Sequence, residues 1–275
     1  MSKISKLREE YEAPHHLITT SDNKILFLRA WEPQTTPKEI AILIFHGITA
    51  YSGPYGMIAE PLSKEGYSVF GLDLRGHGLS DGNRGDYPSK QRLIKDFSET
   101  IAFLKQKFPI LILFGHSLGV VSAIVAINHC LEDINGTILV SAARTARPGV
   151  YPPISTLNKL RILFNSLLFP SKPVVSYYRE GMTGLNDPLF NFRYTLRFMK
   201  IFSAKGLQFP EKLDFPVFVS LGEHDELFTV EAAREFFNEI PSDNKEFYVV
   251  PGAKHAEFPE GSWKQLVTWL KTNFD

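Results

Sequence analysis

Two periodicities alternate along the first half of the chain. Residues 40–45, 67–72, 110–114 and 137–141 are largely apolar runs rich in Ile, Leu, Val and Phe. Runs without polar alternation read as parallel strands buried on both faces. Between them, residues 54–65 set Tyr55, Ile58, Ala59 and Leu62 at helical spacing, closed by Gly66. Residues 89–107 repeat the pattern with Leu93, Ile94, Phe97, Ile101 and Leu104, stopping before Pro109. Residues 120–131 are mostly aliphatic or small, which predicts a helix buried on most sides. Strands alternating with helices imply a mostly parallel sheet joined by right-handed crossovers. Upstream, residues 16–20 and 25–31 flank the turn-rich quartet Ser21, Asp22, Asn23 and Lys24 and predict an antiparallel hairpin at the sheet edge.

The rhythm breaks at Ala142, and up to about Leu213 no convincing strand is legible. Residues 156–169 place Leu157, Leu160, Phe164, Leu167 and Leu168 on one helical face, ended by Pro170, and residues 193–202 predict a second, aromatic-rich helix. Strands at 216–221 and 246–250 and helices at 231–240 and 263–274 then resume the pattern. The expected fold class is α/β, with helices on both faces of a mostly parallel sheet. Its core comprises residues 1–141 and 214–275, and residues 142–213 form a helical cap insertion.

The strand at 110–114 runs directly into Gly115, His116, Ser117, Leu118 and Gly119. A serine in a G-x-S-x-G turn between strand and helix has the context of a nucleophile elbow. Such a turn strains the serine backbone, so the positions two before and two after it must lack colliding side chains. The hydroxyl then lies at the head of a helix, whose dipole and free N–H groups favour negative charge. The strand at 40–45 ends in His46, Gly47, Ile48 and Thr49, where glycine lets the backbone approach a reacting centre. Given the elbow, the N–H groups of Ile48 and Leu118 are the expected oxyanion donors, and His46 is expected to order its loop by hydrogen bonding. Asp73, Arg75 and His77 lie in a glycine-rich loop that lacks phosphate-loop spacing, and they are expected to form a structural network beside the site.

Past the strands at 216–221 and 246–250 come an acidic loop holding Glu223, Asp225 and Glu226, and a loop ending at His255. Ser117, Asp225 and His255 thus occur in the order Ser, Asp, His, each just past a parallel strand, which is the order found in α/β-hydrolases. His255 would take the Ser117 proton during attack and return it to the leaving group, while the acid holds the imidazole. The residues alone leave Glu223 open as the acid. The pair His15 and His16 lacks a ligand cluster, Cys130 reads as an apolar packing residue, and nothing calls for a metal or organic cofactor.

Composition narrows the partners. With Lys+Arg 30 against Asp+Glu 30, the formal charge is zero, which argues against nucleic acid. The single cysteine rules out an intramolecular disulfide and fits a reducing cytoplasm. The first residues lack the apolar core of a signal peptide and a glycine at position 2, and no apolar stretch reaches the length of a membrane span. The charge is uneven, however. Within the insertion Arg144, Arg147, Lys159, Arg161, Lys172, Arg179, Arg193, Arg197, Lys200, Lys205 and Lys212 face only Glu180, Asp187 and Glu211. Such asymmetry suggests a cap whose apolar side walls the substrate pocket and whose basic side docks transiently on anionic lipid surfaces.

Taken together, the chain resembles the monoacylglycerol lipase branch of the α/β-hydrolase superfamily, which includes lysophospholipase-like and serine aminopeptidase-like hydrolases. The resemblance rests on residues 45–47 (FHG), 73–80 (DLRGHGLS), 115–119 (GHSLG), 186–189 (NDPL), 222–225 (GEHD) and 252–255 (GAKH). It implies Asp225 rather than Glu223 as the acid, and hydrolysis of carboxylic esters, typically monoacylglycerols, with a cap that admits an acyl chain. Where some members carry Gly and Glu after the oxyanion position, this chain has Thr49, Ala50 and Tyr51. One rival reading is an aminopeptidase of the proline-releasing type, which would need carboxylates around a free α-ammonium, and the insertion is poor in them. The other is a non-catalytic binding protein on the same fold, against which the full set of Ser, His and Asp argues.

Overall fold

The computed structural model describes residues 3–150, 154–178, 182, 184–203 and 208–275. In chain order the strands are β1 (His15–Thr19), β2 (Ile25–Trp31), β3 (Ile40–Phe45), β4 (Ser68–Leu72), β5 (Ile110–His116), β6 (Gly136–Val140), β7 (Val175–Ser176), β8 (Arg193–Tyr194), β9 (Val217–Gly222) and β10 (Lys245–Val250). The α-helices are α1 (Lys3–Glu9), α2 (Gly56–Lys64), α3 (Lys90–Lys105), α4 (Leu118–Cys130), α5 (Thr156–Leu168), α6 (Leu196–Ile201), α7 (Val230–Asn238) and α8 (Lys264–Phe274). The main sheet runs β1-β2-β4-β3-β5-β6-β9-β10. β2 is antiparallel to both neighbours, and every pair from β4 to β10 is parallel.

The apolar strands lack polar alternation because both faces of the sheet are covered. Along β3, Ala41, Leu43 and Phe45 pack on one side with Phe97 and Ile101 of α3 and Ile124 of α4. Ile40, Ile42 and Ile44 pack on the other with Ile58 and Leu62 of α2 and Trp269 and Leu270 of α8. Side chains of period two therefore feed two cores, one per face. Because β3, β5, β9 and β10 are parallel, their carboxyl ends and the loops after them gather at one edge.

Departures from the expected pattern have local causes. α1 has no apolar stripe to announce it, and it is held by the Arg8 guanidinium, which donates to Leu79 O at 2.8 Å and pairs with Asp81 at 3.0 Å. The stretch at 193–202 divides into β8 and α6, separated by Thr195, whose hydroxyl accepts the Phe198 N–H at 3.1 Å as an N-cap. β7 and β8 pair as a short ribbon where no strand was expected.

Two features of residues 142–213 were not legible in the sequence. Much of the apolar face of α5 is open to solvent: Leu157, Leu160, Phe164 and Leu167 are between 60% and 76% exposed. The basic excess is also partly neutralised from outside the segment. Arg144 pairs with Glu239, Arg197 with Asp86 and Lys212 with Asp214, while Arg147 donates to the Asp225 and Phe228 carbonyls. Arg179, Glu180 and Lys205 lie outside the described residues. Among the described residues no helix is long and apolar enough to cross a membrane.

Candidate active site

Ser117 stands between β5 and α4 at φ 55° and ψ −117°, a backbone conformation that L-residues rarely adopt. The flanking glycines make it possible. A Cβ on Gly119 would lie 2.0 Å from Phe45 O, and one on Gly115 would lie 2.5 Å from Gly119 O. The turn is fixed by Ser117 N–H donating to Val140 O at 3.0 Å and by Val120 N–H closing on Ser117 O at 3.0 Å.

Ser117 Oγ lies 2.9 Å from His255 Nε2, and His255 Nδ1 lies 2.9 Å from Asp225 Oδ2. An ionised carboxylate only accepts, so Nδ1 carries the proton and Nε2 presents its lone pair to the serine hydroxyl. Burial alone would raise the Asp225 carboxyl. The His255 ring, together with the Leu227 and Phe228 N–H groups at 2.8 and 3.0 Å on Oδ1, more than offsets that and holds it below its ordinary value. The three acidic residues of this loop divide the work. Asp225 orients the ring, exposed Glu223 accepts the Gly252 N–H at 2.9 Å, and Glu226 accepts the His255 backbone N–H at 3.0 Å.

Ile48 lines the same space and Leu118 directly follows Ser117, and neither N–H finds an acceptor among the described residues. His46 fixes the first of them. Its Nδ1–H donates to Gly47 O at 2.8 Å, and its Nε2 accepts the Leu74 N–H at 3.1 Å. Holding the Gly47 carbonyl of a trans peptide turns the attached Ile48 N–H the opposite way. The network around Asp73 splits in two. Asp73 accepts from Ser52 and Leu79 N–H beside this loop, whereas Arg75 turns away to Asp22 and Asp96. His77 is fully buried near Tyr194 and Phe198.

An open cleft leads to Ser117. Its apolar wall is built by Ile48, Met57, Ile58, Phe190, Leu227 and Phe258, joined by Tyr177 and Met182, and Glu226, Lys254 and Glu257 stand at its edge. Phe190 comes from the segment between β7 and β8, which is strapped to the loop after β3. Asn191 N–H donates to Thr49 O at 2.9 Å, the Tyr194 hydroxyl donates to Ile48 O at 2.5 Å, and the Tyr51 hydroxyl donates to Asp187 at 2.9 Å. Tyr51 thus ties this loop to the segment between β7 and β8.

A family model described as serine aminopeptidase, S33, matches residues 36–261. The chain belongs to this family of α/β-hydrolases. It is 27% identical over 284 residues to the monoglyceride lipase of Rattus norvegicus, covering 94% of this chain and 91% of that one. It is 26% identical over 260 residues to the monoacylglycerol lipase of Mycolicibacterium smegmatis, covering 87% and 90%. The crystal structure of Paleococcus ferrophilus monoacylglycerol lipase superposes with a TM-score of 0.71 at 25% identity, covering 90% of this chain and 99% of that one. The sequence reading of this hydrolase missed His116 and Tyr55, because a G-x-S-x-G pattern leaves its x positions undefined. Only the apolar surroundings of two hydrogen-bonding side chains could have drawn attention to them.

Proposed function

We propose that this hydrolase cleaves carboxylic esters, with monoacylglycerols as the representative substrates, through an acyl-enzyme formed on Ser117. The observation that carries the reading is the serine hydroxyl, held in a strained turn 2.9 Å from a buried imidazole that is itself 2.9 Å from a carboxylate. His255 Nε2 takes the Ser117 proton as Oγ attacks the ester carbonyl, and Asp225 stabilises the imidazolium. The Ile48 and Leu118 N–H groups receive the developing oxyanion. His255 then protonates the departing alcohol, and water repeats the sequence to release the acid. Residues 142–213 act as a cap, and the apolar cleft suits an acyl chain at about 0.8 kcal/mol per buried methylene. The names of the relatives point to the same substrate class. The single cysteine supports a cytoplasmic setting.

The aminopeptidase alternative gains one feature from the cleft, the carboxylates of Glu226 and Glu257. Both have other partners: Glu226 holds the His255 N–H, and Glu257 pairs with Lys254 at 2.8 Å. That favours the ester reading. The deciding assay follows acid release from monoacylglycerols of short, medium and long chain, with amino-acid anilides in parallel and Ser117→Ala as control. Turnover of the glycerides, with a loss of about 10⁴-fold or more in kcat for Ser117→Ala, is the expected result. Turnover of anilides alone would assign the aminopeptidase reaction instead.

As part of this reading, the cap docks on anionic lipid surfaces. The support is the exposed Leu157, Leu160, Phe164 and Leu167 on α5, beside the exposed Lys159 and Arg161. Sedimentation with phosphatidylglycerol vesicles at low salt is expected, and it weakens at high salt and with Leu160→Glu plus Phe164→Glu. An absence of binding at low salt would remove the idea.

A further inference from the structure

The second residue of the serine motif, His116, carries no step in the reaction above, yet it is almost completely buried. Its Nε2 lies 2.7 Å from His255 O, and its Nδ1 lies 2.9 Å from the Tyr55 hydroxyl, which in turn lies 2.7 Å from Gly47 N. The two ends fix every proton between them. A carbonyl only accepts, so His116 Nε2 carries hydrogen and Nδ1 offers its lone pair. Tyr55 must then donate to Nδ1, and its own lone pair receives the Gly47 N–H. The result is a one-way relay: Gly47 N–H to Tyr55, Tyr55 O–H to His116, and His116 Nε2–H to the His255 carbonyl.

Each end sits next to a reacting group. Gly47 precedes Ile48, and its carbonyl is already held by His46, so the relay pins the remaining N–H of the residue that aims the oxyanion donor. At the other end, Glu226 holds the His255 N–H while His116 holds its carbonyl, so the base is fixed along its backbone as well as by its ring. The relay spans the loops after β3 and β10 through a side chain at the end of β5. Burial, with the His255 ring nearby, pushes the His116 imidazole down to about 3, and burial pushes the Tyr55 phenol up, so neither link changes charge near neutral pH.

We propose that Tyr55 and His116 are positioning residues that hold the oxyanion loop and the general base in one register. This rests on the Ser117 and His255 reading given above. An ångström of drift between those groups costs about a hundredfold in rate.

The test uses the full chain, p-nitrophenyl butyrate and four variants: Tyr55→Phe, His116→Leu, His116→Gln and Ser117→Ala. Rates of the variants that keep Ser117 are normalised to the sites titrated by a fluorophosphonate, and those of Ser117→Ala to protein concentration. Tyr55→Phe and His116→Leu are expected to lose about ten- to a hundredfold in kcat with KM changed by less than about threefold. His116→Gln places an amide N–H within reach of the His255 carbonyl and is expected to recover part of that loss, a rescue that simple cavity filling would not give. In parallel, ¹⁵N-histidine NMR of the wild type is expected to show His116 as the Nε2–H tautomer, with its Nδ1 signal moving in Tyr55→Phe. An Nδ1–H tautomer in the wild type overturns the relay outright. So does kcat within about twofold of wild type for both Tyr55→Phe and His116→Leu while Ser117→Ala is inactive. If Ser117→Ala stays active, the assignment of the nucleophile has failed, and the His116 tautomer with its response to Tyr55→Phe still decides the relay. If His116→Leu does not fold, Tyr55→Phe and the NMR decide.

Discussion

At the scale of single residues, the chemistry-bearing positions divide by what they touch. Gly119 is required by backbone: a methyl group there would lie 2.0 Å from Phe45 O, and a strand carbonyl cannot rotate away as a side chain can. Gly119→Ala is therefore expected to cost about 3 kcal/mol or more in denaturant unfolding, together with loss of turnover. A cost below about 1 kcal/mol would mean that the elbow tolerates a shift of α4. Asp225→Asn tests electrostatics at nearly constant shape. Removing the charge should lower kcat by about 10⁴-fold while the circular dichroism spectrum stays that of the wild type. Retention of a tenth or more of kcat would show that the acid lies elsewhere. Ser117, Asp225 and His255 were legible in the sequence because residue type, chain order and strand context all constrained them. Glu226 and His116 were not, because each acts on the backbone of His255, 29 and 139 positions away, and backbone partners leave no compositional trace.

At the scale of elements, the sheet was legible wherever burial on both faces forced unbroken apolar runs, and all eight of its strands lie within a residue or two of their expected positions. Helix periodicity located α5 and left its surroundings open: an amphipathic pattern specifies that a face is apolar, not what covers it. The anchoring of residues 191–202 was equally hidden. Thr195 is fully buried, donates its hydroxyl to Asp86 at 2.8 Å and accepts the Phe198 N–H, so one side chain both caps α6 and latches the segment to the core. Thr195→Val keeps the volume and loses both bonds. It should lower stability by about 1–2 kcal/mol in urea unfolding and speed amide exchange across residues 191–202, with Thr195→Ser close to wild type. Equal behaviour of the two variants would show that volume, not the hydroxyl, holds α6.

At the scale of the whole molecule, three buried neutral histidines tie stability to pH. Burial lowers the imidazoles of His46, His77 and His116, the second further disfavoured by its neighbour His46 and the third by His255. In the unfolded chain each would titrate near its ordinary value of 6.5. The unfolded state therefore binds more protons below that pH. Their contribution to stability is complete above about pH 6.5 and is lost as pH falls toward the folded values. Each neutral ring adds a slope of about 1.4 kcal/mol per pH unit within that window. Carboxylates act with the same sign but lower down. Asp22 is held at about 2 because its hydrogen bonds to Arg75 and Thr20 outweigh the desolvation that would raise it, so its contribution fades only below its ordinary 3.8. The two ranges separate cleanly. Urea unfolding should give a nearly level free energy from pH 8 to 7 and a steep fall between pH 6 and 5. His116→Gln should remove roughly a third of that slope, since one of three rings no longer takes up a proton on unfolding. A free energy that stays level from pH 7.5 to 5 would show that these rings are solvated or charged in the native state. The acceptor roles assigned to His46 Nε2 and His116 Nδ1 would then fall with it, because a protonated ring could not accept from Leu74 or from Tyr55.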